Sequence, residues 1–156
     1  MKKEQLGKMI LASEDTMYHI AKTLLYCDED CSDAIQEAIV KAFANIHTLK
    51  QDSYAKTWLI RILINECYAI MRKGKRIVSL EDYKSEETAS CADYSDLYEA
   101  INSLPEHIRL CVALYYLEGY SVKETAALLS VTESAVKNRL ARARTLLRGE
   151  LEQNAY

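Results

Sequence analysis

The stretch SVKETAALLSVTESAVKNRLARARTLL, residues 121–147, decides the fold of the C-terminal part of the chain. Ser121 and Glu124 predict a capping box for a helix over residues 122–129, because each side chain can bond the backbone N–H of the other residue. Thr132 predicts the cap of a second, longer helix. Two helices joined by three or four residues, the second of them basic, are typical of a DNA-binding helix-turn-helix.

The second of these helices has two chemically different sides. At about 100° per residue, Val136, Leu140 and Ala143 share one side, which we expect to pack on the preceding helix. The opposite side is small and polar at its start, as a helix in a major groove requires, although a solvated helix that closes a bundle shares this pattern. Amide and ammonium groups there suit base edges, whereas the flanking guanidinium groups suit phosphates. The predicted contacts are Ser134, Lys137, Asn138, Arg139, Arg142 and Arg144.

Charge is segregated along the chain. The formal net charge of −3 is unexpected for a protein that binds nucleic acid. Residues 56–76, however, carry a net charge of +5 and residues 130–148 a net charge of +4, whereas residues 77–107 between them carry −7. This distribution predicts two regions that contact nucleic acid, joined by an acidic tether.

The composition favours helices, because one Pro and four Gly are too few for the turns of a β-rich fold. We predict an all-α fold with two small helical domains joined by an acidic linker, the C-terminal domain being the helix-turn-helix. The predicted boundaries are a first domain over residues 1–76, a flexible linker over 77–96 and a second domain over 97–156. No apolar run approaches the ~20 residues of a membrane helix, so we expect a cytoplasmic protein without direct membrane insertion.

The N-terminal half predicts three further helices. Ser13 and Asp30 are expected to cap the first two, and residues 35–46 keep a strict apolar rhythm of three and four residues. Ser53 predicts the cap of the third helix, which runs to about Arg72. That helix mixes basic and aromatic side chains, a mixture that suits unstacked single-stranded nucleic acid.

These segments resemble, in order, the extracytoplasmic-function (ECF) subfamily of bacterial RNA polymerase sigma factors. The polymerase-binding helix of the family is similar to DCSDAIQEAIVKAF, residues 30–43, and its promoter-melting helix to TWLIRI, residues 57–62, followed by Asn65. Its minus-thirty-five-binding domain is similar to SLPE (103–106), LEGYS (117–121) and the helix-turn-helix described above. The resemblance covers nearly the whole chain, with an acidic linker where the family has one.

The resemblance implies a sigma factor that binds core RNA polymerase and directs promoter recognition and DNA strand opening for transcription initiation. The residues implied to dock on polymerase are Asp33, Gln36, Glu37 and Lys41. Those implied to contact the minus-ten element are Tyr54, Lys56, Trp58, Arg61, Asn65, Arg72 and Lys73. Among them Asn65 would hold a base flipped from the non-template strand, and loop 50–54 would wall the base pocket. The alternatives are a core position for Trp58 and ordinary surface roles for the polar residues.

Three positions depart from the commonest pattern of the family. Ala69 stands where Asp is frequent, Tyr115 where Arg is frequent, and Ser134-Ala135 where Gly-Thr is frequent. With these three departures, the resemblance implies a functional sigma factor whose contacts with promoter DNA differ from the commonest ones of the family.

The implied partners are core RNA polymerase, promoter DNA and an anti-sigma factor, with no small-molecule substrate. Five cysteines without a CxxC motif do not resemble a zinc site, so we expect no metal and no cofactor. An enzyme is not expected either, because no Gly-rich phosphate loop and no nucleophile-base pair is found in the sequence. Two alternatives stay open: a stand-alone helix-turn-helix transcriptional regulator and a polymerase-binding decoy.

Overall fold

The computed structural model describes residues 1–78 and 100–154, and every regular element within these ranges is helical. The chain divides into two compact units, Met1–Thr88 and Ala89–Tyr156. The prediction of an all-α chain with two helical domains is confirmed.

Within residues 1–78, the first unit contains four α-helices, of which α3 packs against α4 and α2 packs against both. Its α-helices are α1 (Lys3–Ala12), α2 (Glu14–Leu24), α3 (Asp28–Ala44) and α4 (Ala55–Val78). Two short 3-10 turns, Ile46–Thr48 and Asp52–Tyr54, connect α3 to α4. Its core includes Met17, Ile20, Leu59 and Leu63, all fully buried. Each such side chain contributes about 1.5–3 kcal/mol by leaving water.

Small side chains line the buried face of α3. Cys31, Ala34, Ala38 and Ala42 are fully inaccessible to solvent, whereas the larger Ile35, Ile39 and Phe43 are only half-buried. The apolar rhythm of residues 35–46 therefore predicted the helix correctly but assigned too much of the core to its large residues. Small side chains at spacings of three and four residues let two helix axes approach closely.

Several helix boundaries differ from those predicted. An additional helix, α1, precedes Ser13, which is buried at the junction with α2 and makes no side-chain cap bond. Helix α3 begins at Asp28, ahead of Asp30, and Ser53 lies in a 3-10 turn before α4. Helix α4 continues through Val78, two residues into the range 77–96 assigned to the linker. The rest of that range lies outside the described residues.

Within residues 100–154, the second unit contains a helical segment that ends at Asn102, followed by three α-helices and one turn of π-helix. The elements are α5 (Glu106–Val112), the π turn (Ala113–Leu117), α6 (Val122–Leu129) and α7 (Glu133–Asn154). Pro105 immediately precedes α5, and Gly119 takes a positive φ of 79° where the chain turns after the π turn. A positive φ suits glycine, which has no Cβ to clash.

The local chemistry of the helix-turn-helix confirms the predicted caps. Ser121 Oγ accepts from the Glu124 N–H at 3.0 Å, and Glu124 Oε1 accepts from the Ser121 N–H at 2.9 Å. Thr132 Oγ1 accepts from the Ala135 N–H at 3.0 Å. Between α6 and α7, Ser130 adopts a left-handed conformation with φ of 58°. These bonds fix where both helices begin.

The apolar side of α7 closes the core of the second unit, as predicted. Val136, Leu140 and Ala143 are buried in a cluster with Ile108 and Ala126, and Leu147 packs against its margin. Arg109 is also buried, and its guanidinium donates to the carbonyls of Asn102 and Leu104 at 3.0 and 3.5 Å. Arg109 therefore holds the turn before α5 and is turned away from any surface ligand.

Asp28 joins the end of α2 to the start of α3. Its Oδ1 accepts from Lys22 Nζ at 2.6 Å and from the Tyr18 hydroxyl at 2.7 Å. The hydrogen bond from Lys22, followed by that from Tyr18, lowers the pKa of the Asp28 carboxyl. The folded state therefore favours the charged form of the Asp28 carboxyl. The resulting contribution to stability is present at pH values above the pKa of Asp28 in the unfolded chain, and it is lost as the pH falls through the pKa of Asp28 in the folded protein.

We expect Asp28→Asn to destabilise the protein near neutral pH and to lose that disadvantage in acid. Thermal unfolding of wild type and variant between neutral pH and about pH 2 tests this, because the difference in unfolding temperature should shrink as pH falls. Asp15→Asn, on the exposed first turn of α2, controls for removal of one carboxylate. A difference for Asp28→Asn that stays constant with pH would contradict the role of the charged carboxylate.

Candidate nucleic-acid interfaces

A pocket of about 380 Å³ lies between the end of α3 and the middle of α4. Its lining residues are Lys41, Asn45, Thr48, Trp58, Ile62, Asn65 and Glu66. The α4 residues at 58, 62, 65 and 66 lie on one side of the helix, because residue 62 follows 58 by four and residues 65 and 66 follow 62 by three and four. Trp58 and Asn65, both predicted from the sequence to contact the minus-ten element, are thus brought together. Trp58 is half-buried and lines the pocket.

An ion pair forms one wall of this pocket. Lys41 Nζ lies 2.7 Å from Glu66 Oε2, with 49% of the Lys41 side chain and 13% of the Glu66 side chain exposed. The hydrogen bond from Lys41 to Glu66, with the carboxylate charge, raises the pKa of the Lys41 ammonium. Lys41 was assigned to polymerase docking from the sequence, whereas its side chain here also belongs to the pocket.

Three polar residues that line the pocket, Asn45, Thr48 and Glu66, were not predicted from the sequence. Glu66 is the single acid within the basic residues 56–76, and this irregularity was its only signal. Asn45 Nδ2 donates to the Lys41 carbonyl at 2.9 Å, and Thr48 Oγ1 donates to the Asn45 carbonyl at 2.7 Å. Both therefore fix the backbone where α3 ends.

The remaining residues predicted to contact the minus-ten element lie outside the pocket, on exposed parts of α4 and the turn before it. These are Tyr54, Lys56, Arg61, Arg72 and Lys73. Loop 50–54, which was expected to wall the base pocket, contributes no lining residue to this one. The wall is supplied instead by α3 and the turn Ile46–Thr48.

The outer face of α3 carries the other three residues predicted to dock on polymerase. Asp33, Gln36 and Glu37 are all exposed. Val40, with 61% of its surface exposed, lies beside them at the next helical turn. This face of α3 therefore presents two carboxylates, one amide and one apolar side chain to solvent, where a protein partner could contact them.

Helix α7 presents its polar side to solvent, as predicted. Ser134, Lys137, Asn138 and Arg142 are exposed on it. Arg139 is only half-buried and lies close to the Cys111 thiol, where it opposes the increase in the pKa of Cys111 that burial causes. Arg139 is thus less free than the other predicted contacts.

Arg144 is anchored by a tyrosine of the π turn. Its guanidinium Nη1 donates to the Tyr116 hydroxyl at 2.9 Å, across 28 residues of sequence. Tyr116 is 50% exposed and its ring meets that of Tyr115 edge-on, with centroids 4.9 Å apart. Tyr115, by contrast, packs against the core of the second unit. Tyr115 therefore acts in packing at the position where the resemblance implied a basic side chain.

Three of the cysteines described by the structure, Cys31, Cys67 and Cys111, are buried, and Cys27 is exposed. Burial raises the pKa of the Cys31 thiol to about 11 and that of Cys67 to about 12, so both are neutral near pH 7. Within residues 1–78 and 100–154, no three His, Cys, Asp or Glu side chains are grouped as metal ligands. In the same ranges no helix has the length and apolar character needed to cross a bilayer.

Two segments of this chain match known protein families. Residues 9–77 match the family described as Sigma-70 region 2, and residues 94–147 match Sigma-70, region 4. RNA polymerase sigma factor SigV of Bacillus subtilis is 28% identical over 97% of this chain and 96% of the relative. ECF RNA polymerase sigma factor SigM of Mycobacterium tuberculosis is 32% identical over 84% of this chain and 69% of the relative.

A solved structure is similar over almost the whole length of both chains. The sigma factor RpoE from Bartonella quintana, in complex with the anti-sigma factor NepR, has a TM-score of 0.84 at 27% identity. The similarity covers 96% of this chain and 98% of that chain. Proteins of this family are in general not enzymes. With both sigma regions matched in order, the chain belongs to the ECF subfamily of sigma-70 factors and directs transcription initiation.

Proposed function

We propose that the first unit of this sigma factor captures an unpaired promoter base in the pocket between α3 and α4, while α7 of the second unit docks in the major groove upstream. The observation that carries the proposal is the meeting of Trp58 and Asn65 in one pocket. In this assignment the first domain, residues 1–76, binds polymerase and the minus-ten element. The second domain, residues 97–156, binds the minus-thirty-five element, and a linker over residues 77–96 joins the two domains. The protein acts in the cytoplasm and catalyses no reaction itself.

Base capture follows from the chemistry of the lining. An aromatic ring can stack on any base, contributing about 1–3 kcal/mol, and the Asn65 amide offers both a donor and an acceptor to a base edge. A base held in this way cannot re-pair, so the duplex equilibrium shifts toward the open form without nucleotide hydrolysis by this chain.

The exposed basic and aromatic residues of α4 and its preceding turn would guide the strand to the pocket. Their charges suit phosphates, which are bound without regard to sequence. The residues proposed for this role are Tyr54, Lys56, Arg61, Arg72 and Lys73. Because they lie outside the pocket, they supply affinity and the pocket supplies selection.

On α7 the polar side is divided between base and phosphate contacts. Lys137 and Asn138 suit base edges, with Ser134 at the start of the helix. Arg139, Arg142 and Arg144 suit phosphates. The burial of the opposite side supports this orientation, because it leaves only the polar side free to enter a groove.

The exposed face of α3 is proposed to dock on core RNA polymerase through Asp33, Gln36 and Glu37, with Lys41 at its edge. An anti-sigma factor is proposed as a further partner, because the similar sigma factor from Bartonella quintana was solved with one. Such a partner would silence the protein by covering a docking face.

Run-off transcription tests the whole proposal. Core polymerase with this chain should yield a specific transcript from a matched promoter, and core polymerase alone should not. Stable binding to core without any transcript would favour the polymerase-binding decoy. Tight, specific binding to duplex DNA without polymerase would favour the stand-alone regulator.

Asn65→Ala should impair open-complex formation more than it impairs binding to core, because the side chain contacts DNA only after strands separate. Loss of one captured base predicts roughly a tenfold decrease in open complexes, measured by permanganate reactivity of unpaired thymines. Lys137→Ala is the matched control, since it should weaken upstream binding instead. Equal losses of core affinity and open complex for Asn65→Ala would overturn its assignment.

Tyr116→Phe tests whether the bond to Arg144 aids DNA binding. The Arg144 guanidinium, when held by the Tyr116 hydroxyl, loses less conformational entropy on binding a phosphate. Removing that hydroxyl should therefore lower the affinity of the holoenzyme for the upstream element by about two- to fivefold. Arg144→Ala should in addition lower the slope of log affinity against log salt by about 1.

A double-mutant cycle isolates the effect. In an Arg144→Ala background, Tyr116→Phe should cost nothing further, since the bond is already absent. Tyr115→Phe removes the neighbouring hydroxyl and leaves the Arg144 bond intact, which makes it the control. Additive effects of the two substitutions would show that Tyr116 acts independently of Arg144.

A further inference from the structure

Lys41 lies where the two proposed surfaces of the first unit meet. On α3 it follows Val40 directly and Glu37 by one helical turn, and both are exposed on the face proposed to dock on polymerase. Its ammonium, however, lies 2.7 Å from Glu66 Oε2 on α4, and both residues line the pocket. The backbone of Lys41 thus belongs to the docking face, whereas its charge belongs to the pocket.

The Glu66 carboxylate depends on Lys41 for compensation of its charge. Only 13% of the Glu66 side chain is exposed, so water can replace little of the stabilisation that the ammonium provides. Removing one partner of a largely buried ion pair leaves an uncompensated charge, which costs more than removing both partners. Glu66 also directly follows Asn65 in sequence. An uncompensated carboxylate at this place would repel the phosphates of an entering strand.

We propose that Lys41 is a positioning residue for base capture, in addition to its place at the edge of the docking face. It acts by holding and neutralising the Glu66 carboxylate, and it contacts no part of the DNA. The proposal rests on the base-capture role of the pocket and is independent of which base is captured. Lys41 and Glu66 are the only charged residues among the seven that line the pocket, so their pairing gives the lining a net charge of zero.

Two further observations tie the Lys41 side chain to the pocket. The hydrogen bond to Glu66 is the largest cause of the raised pKa of the Lys41 ammonium, and the charge of Glu37 on the docking face is the smallest. The Lys41 carbonyl accepts from Asn45 Nδ2 at 2.9 Å, and Asn45 also lines the pocket. The ammonium is therefore held toward α4, and the backbone that carries it is fixed where α3 ends.

Lys41→Met tests the proposal in holoenzyme assembled from core polymerase and this chain. Methionine keeps an unbranched side chain and removes the charge. Open complexes, measured by permanganate reactivity, should decrease by about tenfold, because one charge near the strand is left uncompensated. Affinity for core should change by about twofold or less, since an exposed charge at the edge of an interface contributes little. The slope of log affinity for promoter DNA against log salt should stay unchanged, since no phosphate contact is lost.

The neutral double variant Lys41→Met/Glu66→Gln isolates the compensating role of Lys41. It leaves no charge in the pocket, so open complexes should return to within about twofold of wild type. Lys41→Met/Glu29→Gln is the matched control, because it removes an exposed carboxylate at the start of α3, outside the pocket, and should not restore them. Lys41→Arg keeps the charge and should retain most open complexes. Thermal unfolding measures whether each variant is folded, and Lys41→Gln, with the same expectations, replaces Lys41→Met if the latter does not fold.

Each competing role of Lys41 predicts a different pattern. A direct contact with phosphate would lower the salt slope of Lys41→Met by about 1, and the neutral double variant would stay defective. A role in docking alone would lower core affinity and open complexes by the same factor. Either pattern overturns the proposal. Base capture itself fails if Asn65→Ala forms as many open complexes as wild type, which is measured separately from the rescue.

Discussion

The close packing of α3 on α4 is the constraint on which the first unit depends. Ala34, Ala38 and Ala42 are fully buried on α3, which packs on α4, and small side chains of this kind permit a close approach of helices in which Lys41 reaches Glu66. Larger residues at these alanines would push the helices apart, and overpacking of this kind typically costs 1–3 kcal/mol. Separation would also open the wall between Lys41 and Glu66. The pocket therefore depends on small side chains that lie within about two turns of Lys41 on the same helix.

In the second unit, helix caps and a turn fix the position of α7. If α7 enters a groove, as we propose, it must expose one side and bury the other, so its rotation and starting residue must be fixed. The Thr132 cap sets the start, Val136 and Leu140 set the rotation, and the left-handed Ser130 sets the turn. The Tyr116 hydroxyl then restrains Arg144 from outside the helix. Rigid backbone and tethered side chains together lower the entropy lost on binding.

The sequence predicted those features that depend on interactions between residues close together in the chain, and it did not predict those that depend on residues far apart. The capping box of Ser121 and Glu124 is local chemistry, so its position was predictable to the residue. Helix α1 was not, because it buries only Leu6 and Ile10, too few residues to establish a period. The spacing of apolar residues in α3, by contrast, correctly placed Lys41 on the polar side of that helix. Its pairing with Glu66, 25 residues later, depends on how α3 and α4 are rotated against each other, which periodicity does not encode.

The carboxylate of Glu66 bears on how the first unit could hold a strand. If the pocket between α3 and α4 receives a promoter base, as we propose, Glu66 lowers the attraction of the pocket for the strand, because a carboxylate repels phosphate. Exposed cations such as Arg61, Arg72 and Lys73 can supply the missing attraction, but they bind every sequence alike. In that arrangement the cations and polymerase hold the strand, and selection operates on a strand that is already held.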